Sequence, residues 1–328
     1  MTTGASKTKI LIADEIAPEA LQVFERQKEN LEIEILPGLD SKKLKEKIFD
    51  KDALLVRMTA VNESLLAAGK NLKIVGRIGN GVDNIDLKAA EKRGIKIMNS
   101  PTASANSTAE HTIALLLAAL RKIPEAHRSL RVGKWERNFY KGTEVAGKTF
   151  GIIGLGRIGS RVALRMKAFE CEVIACDPYL APERAASLKV PLVSFEELLS
   201  RSDFVSIHTP LNESTRYLLN AKNMPFMKNS SVLVNAARGG LVEERGILPA
   251  LQSKKLLAYA TDVFETEPPD SKNYLLHHPQ VICTPHLGAQ TQEAQIRVSV
   301  AMAEQLIHFF ETGEVLNAVD SQTEGKNL

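Results

Sequence analysis

Three polar residues in the second half of the chain are of types that together move a proton beside an anion. Arg238, in VNAARGG, offers a planar fork that grips a carboxylate and polarises a neighbouring carbonyl. His286, in CTPHLGA, carries an imidazole whose unperturbed pKa of about 6.5 suits proton exchange with a hydroxyl near neutral pH. Glu267, in FETEPP, is an acid that would hold the far ring nitrogen, fix the tautomer and favour the protonated ring. Each follows an apolar run of β type, and open α/β sheets bind ligands just beyond their strand ends. An isolated loop histidine is more often solvent-exposed or structurally satisfied; what raises His286 above that is the motif earlier in the chain.

Gly154-Leu155-Gly156-Arg157-Ile158-Gly159 follows the apolar run Thr149 to Ile153 and opens a helical stretch to about Phe169. Glycines at this spacing are weak evidence alone. A strand before and a helix after make them a dinucleotide turn: the first permits the tight bend, the second admits the pyrophosphate, the third lets helix pack on strand. The helix N-terminus adds partial positive charge. Asp177 ends the next apolar run, about twenty residues on, where an acid accepts from ribose hydroxyls. An Asp at a strand end is often only a helix cap, but this spacing favours the cofactor role. No arginine follows Pro178 and Tyr179 to neutralise a 2′-phosphate, so the cofactor expected is NAD rather than NADP.

The 328 residues carry 42 Lys and Arg against 39 Asp and Glu, a net charge of +3 too slight and too interspersed for a nucleic-acid surface. The basic run Lys42 to Lys47 reads as a solvated helix face. Three cysteines, Cys171, Cys176 and Cys283, show no Cys-x-x-Cys spacing, which argues against a disulfide framework or zinc and for a reducing cytoplasm. Cys283 beside His286 invites a Cys-His nucleophile, but a buried strand cysteine fits better. His111, His127, His277, His278 and His308 lack paired motif residues, and no metal site is expected. His208, at a strand end, is expected to shape the adenine side of the cleft. No secretory signal is expected from the small, polar and basic first residues, and the longest apolar run, Ile113 to Leu120, is far short of the roughly 20 residues that span a bilayer.

Two series of elements must position these groups. Lys9 to Asp14, Leu31 to Leu36, Ala53 to Met58, Lys73 to Gly79 and Ile95 to Ser100 read as strands, with helices such as Pro18 to Gln27 and Asp86 to Arg93 between them. A second series opens at Lys148 with TFGIIG, EVIACD, DFVSIH, SVLVNAA, LLAYATDVF and QVICTPH. Strand–helix alternation implies parallel sheets. The fold class expected is α/β with two doubly wound parallel-sheet, Rossmann-like domains. A long helical segment, roughly Ser107 to Lys134, would link them. The helix Thr291 to Thr312 would cross back to the first domain and make it discontinuous, before a frayed polar tail. The boundaries expected are 1–102 with 290–328 for substrate and 103–289 for NAD.

In their order, GLGRIG, ACDP, HTPL, NAARGGLV, DVFETEPP and TPHLGAQT resemble the NAD-dependent D-2-hydroxyacid dehydrogenases, from about Lys9 to Asp320. GRIGNGVDNID, GKWER, KGTEVAGKTFGIIGLGRIG and CTPHLGAQT are most similar to the branch of that family acting on 3-phosphoglycerate. The resemblance implies the same catalytic set, Arg238, Glu267 and His286. It implies cofactor contacts at Gly154, Gly156, Arg157, Ile158, Gly159, Asp177, Thr209, Ala236 to Arg238 (with Ala237), Asp262 on the nicotinamide carboxamide, His286, Gly288 and Ala289. Arg57, Asn80 and Gly81 would line the substrate side, Asn80 near the cofactor as well, and Arg137 would help a substrate phosphate. A homodimer through the NAD-binding domain is implied, with Trp135 in the segment Gly133 to Arg137 reaching the neighbour. A chain ending at Leu328 is expected to be a short form without a C-terminal regulatory domain. Met58 and Asn80 depart from the branch and keep glyoxylate, hydroxypyruvate or a sulfonated hydroxy acid open as substrates. An NADH-sensing binding protein without turnover is the alternative of another class.

Overall fold

The computed structural model describes residues 7–320. The first series gives β1 (Thr8–Ile12), α1 (Pro18–Glu25), β2 (Leu31–Ile35), α2 (Ser41–Lys47), β3 (Ala53–Val56), α3 (Glu63–Ala68), β4 (Ile74–Arg77), α4 (Leu87–Lys92) and β5 (Lys96–Met98). Two helices follow, α5 (Ala105–Arg121) and α6 (Ile123–Arg131). The second series is β6 (Thr149–Ile153), α7 (Arg157–Ala168), β7 (Glu172–Cys176), α8 (Pro182–Ser187), α9 (Phe195–Arg201) and β8 (Phe204–Ile207). It continues through β9 (Ser231–Asn235), α10 (Glu244–Gln252), β10 (Leu256–Thr261) and β11 (Val281–Cys283), and α11 (Gln292–Thr312) closes the order.

Among the described residues the chain divides into two compact units, 7–104 with 289–320, and Ala105–Gly288. The first holds a five-stranded sheet in the order β2-β1-β3-β4-β5, and the second a six-stranded sheet in the order β11-β10-β9-β8-β6-β7. All strand pairings in both are parallel. Each sheet reverses its strand order once, between β1 and β3 and between β6 and β8, and such switch points open a crevice at the C-terminal strand ends. Strands buried on both faces need continuous apolar runs, which is why β3, β8 and β9 are buried at every position.

In the first unit, α1 packs beside α11 on one face of the sheet, where Ala20, Phe24, Val298, Met302 and Leu306 are buried with Ile10 and Ile74. The helix Thr291 to Thr312 thus completes this core, capped at its start by Thr291 Oγ1 accepting from Ala294 N–H. The tail differs from the frayed end expected: after Gly313 (φ 79) the chain turns back, and Ala318 forms an antiparallel bridge with Met98. Residues 321–328, like the first six, lie outside the described residues.

The expected long helix over Ser107 to Lys134 is two. Pro124 has no N–H to continue the ladder, Lys122 before it takes a left-handed φ of 51, and α6 starts afresh with Pro124 in its first turn. Nor is α5 a mere link: Ala109, Ile113, Leu116 and Leu120 lie in the core of the second unit with Phe150, Val162 and Val234. Among the described residues no helix is long and apolar enough to cross a membrane.

Candidate active site

All six strands of the second sheet deliver a candidate residue at their C-terminal ends. In sheet order, β7 ends at Asp177, β6 at the glycine turn, β8 at His208 and Thr209, β9 at Ala236 to Arg238, β10 at Asp262 and, farther along its loop, Glu267, and β11 at His286. One half of the edge is thus suited to a dinucleotide and the other to acid-base chemistry.

In the dinucleotide half, Gly154 has φ 89, and a Cβ there would lie 2.9 Å from Thr209 Cγ2 and 3.0 Å from the His208 carbonyl. A Cβ on Gly159 would lie 2.1 Å from the Gly154 carbonyl oxygen, so only glycine lets α7 approach the turn. Gly156 caps α7 without a side-chain bond, and a helix start of this kind favours an anion. Arg157 and Ile158 form that first turn, and the Ile158 side chain packs partly against the core. Asp177 is 7% exposed; its Oδ2 accepts from Leu155 N–H at 2.9 Å and its Oδ1 from Tyr179 N–H at 3.1 Å. It therefore ties the glycine turn to β7 and keeps lone pairs for a further donor. Next to Gly154, the buried Thr209 Oγ1 has no hydrogen-bond partner. An uncapped helix start, a cradle that a Cβ would fill and an orphaned hydroxyl fit a bound dinucleotide. His208 is buried, with Nε2 2.9 Å from Ser206 Oγ, and burial pushes its pKa down to about 3, so it stays neutral.

In the chemical half, Glu267 Oε2 lies 2.7 Å from His286 Nδ1, and Glu267 Oε1 accepts from Phe264 N–H at 3.1 Å. Burial alone would push the Glu267 carboxyl up, but the His286 bond and charge, the Phe264 N–H and the Arg238 charge together hold it below the ordinary carboxylate value. Arg238 belongs to a loop pinned by buried Asn235, whose Nδ2 donates to the Arg238 carbonyl at 2.9 Å while its Oδ1 accepts from Ala237 N–H at 3.1 Å. The Arg238 Nη1 donates to the Ala237 carbonyl at 2.7 Å. The glycines after Arg238 serve close packing rather than space for a ligand. A Cβ on Gly239 would sit 1.9 Å from the Phe264 carbonyl carbon, so this glycine lets the arginine loop lie directly on the loop of Glu267. Cys283 is half-buried rather than buried, and desolvation pushes its thiol up to about 11, which keeps it protonated and unsuited to nucleophilic work.

His286 itself has φ 55, a left-handed conformation that is strained for a residue with a side chain. Asp262 holds it there. The Asp262 carbonyl accepts from His286 N–H at 2.9 Å, its Oδ1 from Leu287 N–H at 2.7 Å, and its Oδ2 from Gly288 N–H at 2.7 Å. Gly288 is buried, and Ser107 Oγ donates to its carbonyl at 2.7 Å. Asp262 is 0% exposed; burial would raise its pKa, but His111, Thr284 and Leu287 N–H lower it below the ordinary value, so the carboxylate is ionised. His111 is the functional neighbour that motif reading misses. Expected to lack paired motif residues, it places Nε2 3.2 Å from Asp262 Oδ1 and 3.0 Å from Thr284 Oγ1. Arg137 is exposed at the start of the 3-10 turn Arg137–Tyr140, outside this bonded set.

The first unit has its own pinned loop. Asp14, beyond β1, accepts at Oδ2 from the N–H groups of Arg57 (2.6 Å), Met58 (3.0 Å) and Thr59 (3.0 Å), and at Oδ1 from Thr59 Oγ1 (3.0 Å). The Arg57 guanidinium donates to Gln290 Oε1, and Met58 is exposed. Asn80 follows β4, its carbonyl accepting from Asn99 Nδ2 at 2.5 Å, and Gly81 is half-buried beside it. Ala289 opens the returning segment of this unit, its carbonyl accepting from Gln295 Nε2 at 2.7 Å. Among the described residues no group of three His, Cys, Asp or Glu side chains is placed to hold a metal ion.

Comparison with known proteins identifies the family. The family described as D-isomer specific 2-hydroxyacid dehydrogenase, NAD binding domain, matches residues 113–288. A D-3-phosphoglycerate dehydrogenase of Archaeoglobus fulgidus is 44% identical over 313 residues, which are 95% of this chain and 59% of that one. The chain thus spans about three fifths of the length of that relative. Among solved structures, a glyoxylate reductase from Paecilomyes thermophila superposes with a TM-score of 0.88 at 32% identity, covering 97% of this chain and 100% of that one. An NAD+-bound 3-phosphoglycerate dehydrogenase of Entamoeba histolytica does so with a TM-score of 0.82 at 27% identity, covering 96% and 99%. The glycine turn with Asp177, the bonded pair Glu267 and His286, and these likenesses together place the chain in the D-isomer specific 2-hydroxyacid dehydrogenase family, of which it is a member.

Proposed function

We propose that the protein oxidises a D-2-hydroxy acid reversibly with NAD, and that its substrate is 3-phosphoglycerate, giving 3-phosphohydroxypyruvate. The 2.7 Å bond from Glu267 Oε2 to His286 Nδ1 carries the reading. It commits one ring nitrogen to an ionised acid and leaves Nε2 to exchange a proton, on a ring still 44% exposed. Arg238 grips the substrate carboxylate and polarises the oxygen at the reacting carbon. His286 Nε2 takes the hydroxyl proton, and Glu267 stabilises the imidazolium that results; in reduction the same ring returns the proton. Gly156, Arg157 and Ile158 hold the dinucleotide's pyrophosphate, Asp177 its ribose and Thr209 its neighbouring edge, and NAD so bound supplies the acceptor for the substrate's hydride.

The name of the Archaeoglobus relative supports the phosphorylated substrate, for which Arg57 and Arg137 are the basic groups we assign to the phosphate. A homodimer through the second unit is supported by the exposed large apolar side chains Ile123, Leu130, Val132, Phe139 and Trp135, the last 77% exposed. Three free thiols support the cytoplasm as the place of action.

The test is NADH absorbance with purified protein against 3-phosphoglycerate, phosphohydroxypyruvate, hydroxypyruvate, glyoxylate, pyruvate and sulfopyruvate. Preference for the phosphorylated pair supports the full reading. Preference for another acid overturns the substrate but keeps the redox chemistry. NADH binding with no turnover of any acid overturns the reading in favour of a sensor.

A further inference from the structure

His111 lies on α5, and its Nε2 faces two oxygens, Thr284 Oγ1 at 3.0 Å and Asp262 Oδ1 at 3.2 Å. The single hydroxyl hydrogen of Thr284 goes to Asp262 Oδ1, 2.6 Å away. Asp262, ionised, only accepts. Both atoms facing His111 Nε2 are therefore acceptors, and that nitrogen must carry a hydrogen. The two residues it reaches are the same two that fix the turn of His286. The carbonyls of Asp262 and Thr284 accept from His286 N–H at 2.9 and 3.1 Å, and the Asp262 carboxylate takes the next two N–H groups.

We propose that His111 is a positioning residue for the reaction, acting through Thr284 and Asp262 to hold His286 in its strained turn, in line with Glu267. The proposal rests on the assignment of proton transfer to His286. Without the Nε2–H, the Thr284 hydroxyl loses its donor and the buried Asp262 carboxylate loses one of its four side-chain and main-chain donors. A buried carboxylate short of a donor pulls on those that remain, and the left-handed His286 is the link with most strain to release.

The test combines hydrogen exchange of the segment 281–288 with steady-state kinetics on the full chain, for His111→Ala, His111→Gln and Thr284→Val. Gln keeps an N–H at a reach close to that of Nε2. In His111→Ala and in Thr284→Val we expect faster exchange confined to that segment and a kcat lowered about 10- to 100-fold, with KM changed less than about 3-fold, since misplacement of a reacting group by about 1 Å costs that order. The double variant is then no slower than the slower single one, because both remove one linked contact, and His111→Gln recovers most of the rate. Unchanged exchange in 281–288, equal loss in His111→Gln and His111→Ala, or additive effects in the double variant would overturn the proposal. Should His111→Ala not fold, Thr284→Val makes the same test from outside the helix. A wild-type protein that turns over no hydroxy acid rejects the function assigned to His286, whereas the exchange measurement still judges the hold of His111 on the loop.

Discussion

His286 Nδ1 and Glu267 Oε2 stand 2.7 Å apart on loops that leave the adjacent strands β11 and β10, so the register of the second sheet sets the acid against the ring. Each partner is also held from behind. Phe264 N–H donates to the other Glu267 oxygen, and the Asp262 carbonyl accepts from His286 N–H. The pair arrives pre-assembled, which lowers the cost of organising it when substrate binds.

Replacing Glu267 by Gln keeps the shape and removes the charge that favours the imidazolium. We expect kcat/KM for hydroxy-acid oxidation to fall by about 10²-fold, within the usual range for a general acid-base element. The acid also links to stability. Its folded pKa lies below the ordinary 4.5, so its stabilisation is full above that value and is lost as pH falls through the folded pKa. Denaturant titrations at descending pH should therefore show wild type losing more stability on acidification than Glu267→Gln; parallel curves would contradict this.

Gly239→Ala tests how the arginine loop is seated. A Cβ 1.9 Å from the Phe264 carbonyl carbon forces the two loops apart. Overpacking of this kind costs about 1–3 kcal/mol, and turnover should fall further than stability does, because Arg238 moves away from the Glu267 loop. Urea unfolding with parallel kinetics separates the two effects, and a variant with wild-type stability and rate would refute the packing argument.

Asp177→Ala should weaken NADH binding about 10-fold or more, since a hydrogen bond to a charged group contributes about 1.5–3 kcal/mol. Removing the carboxylate should also raise NADPH use relative to NADH. Fluorescence titration with both cofactors gives the ratio; an unchanged ratio would remove Asp177 from the ribose.

Much of this arrangement is legible in the sequence. The strands from Thr149 to Cys283 show as apolar runs because a parallel sheet buries both faces, and Arg238, Glu267 and His286 stand out because they follow three of those runs. What stays hidden is what depends on distance in space. His111 and Thr284 are 173 residues apart, and neither belongs to a motif that points to the other. The role of Gly239 depends on a backbone neighbour in the next loop, and sequence shows only that a side chain is missing. The break between α5 and α6 is written in Pro124, yet the helical period on either side of it masks the interruption. The return of Ala318 to β5 leaves no trace in a polar tail.

Arg57→Ala should raise KM for 3-phosphoglycerate more than it alters turnover of a non-phosphorylated hydroxy acid, if the guanidinium serves the phosphate. Asp14 holds the loop through the N–H groups of Arg57, Met58 and Thr59, so Asp14→Ala should reproduce the KM effect with the guanidinium intact. Equal effects of Arg57→Ala on both substrates would reject the phosphate role.

The most direct test of the account is His286→Ala, with turnover and NADH affinity measured on the same preparation. We expect kcat to fall about 10²- to 10⁴-fold, the contribution of general acid-base catalysis, while the NADH dissociation constant stays within about 3-fold, because the dinucleotide half of the sheet edge is untouched. Turnover that survives, or turnover and NADH binding lost together, would contradict the assignment of proton transfer to His286.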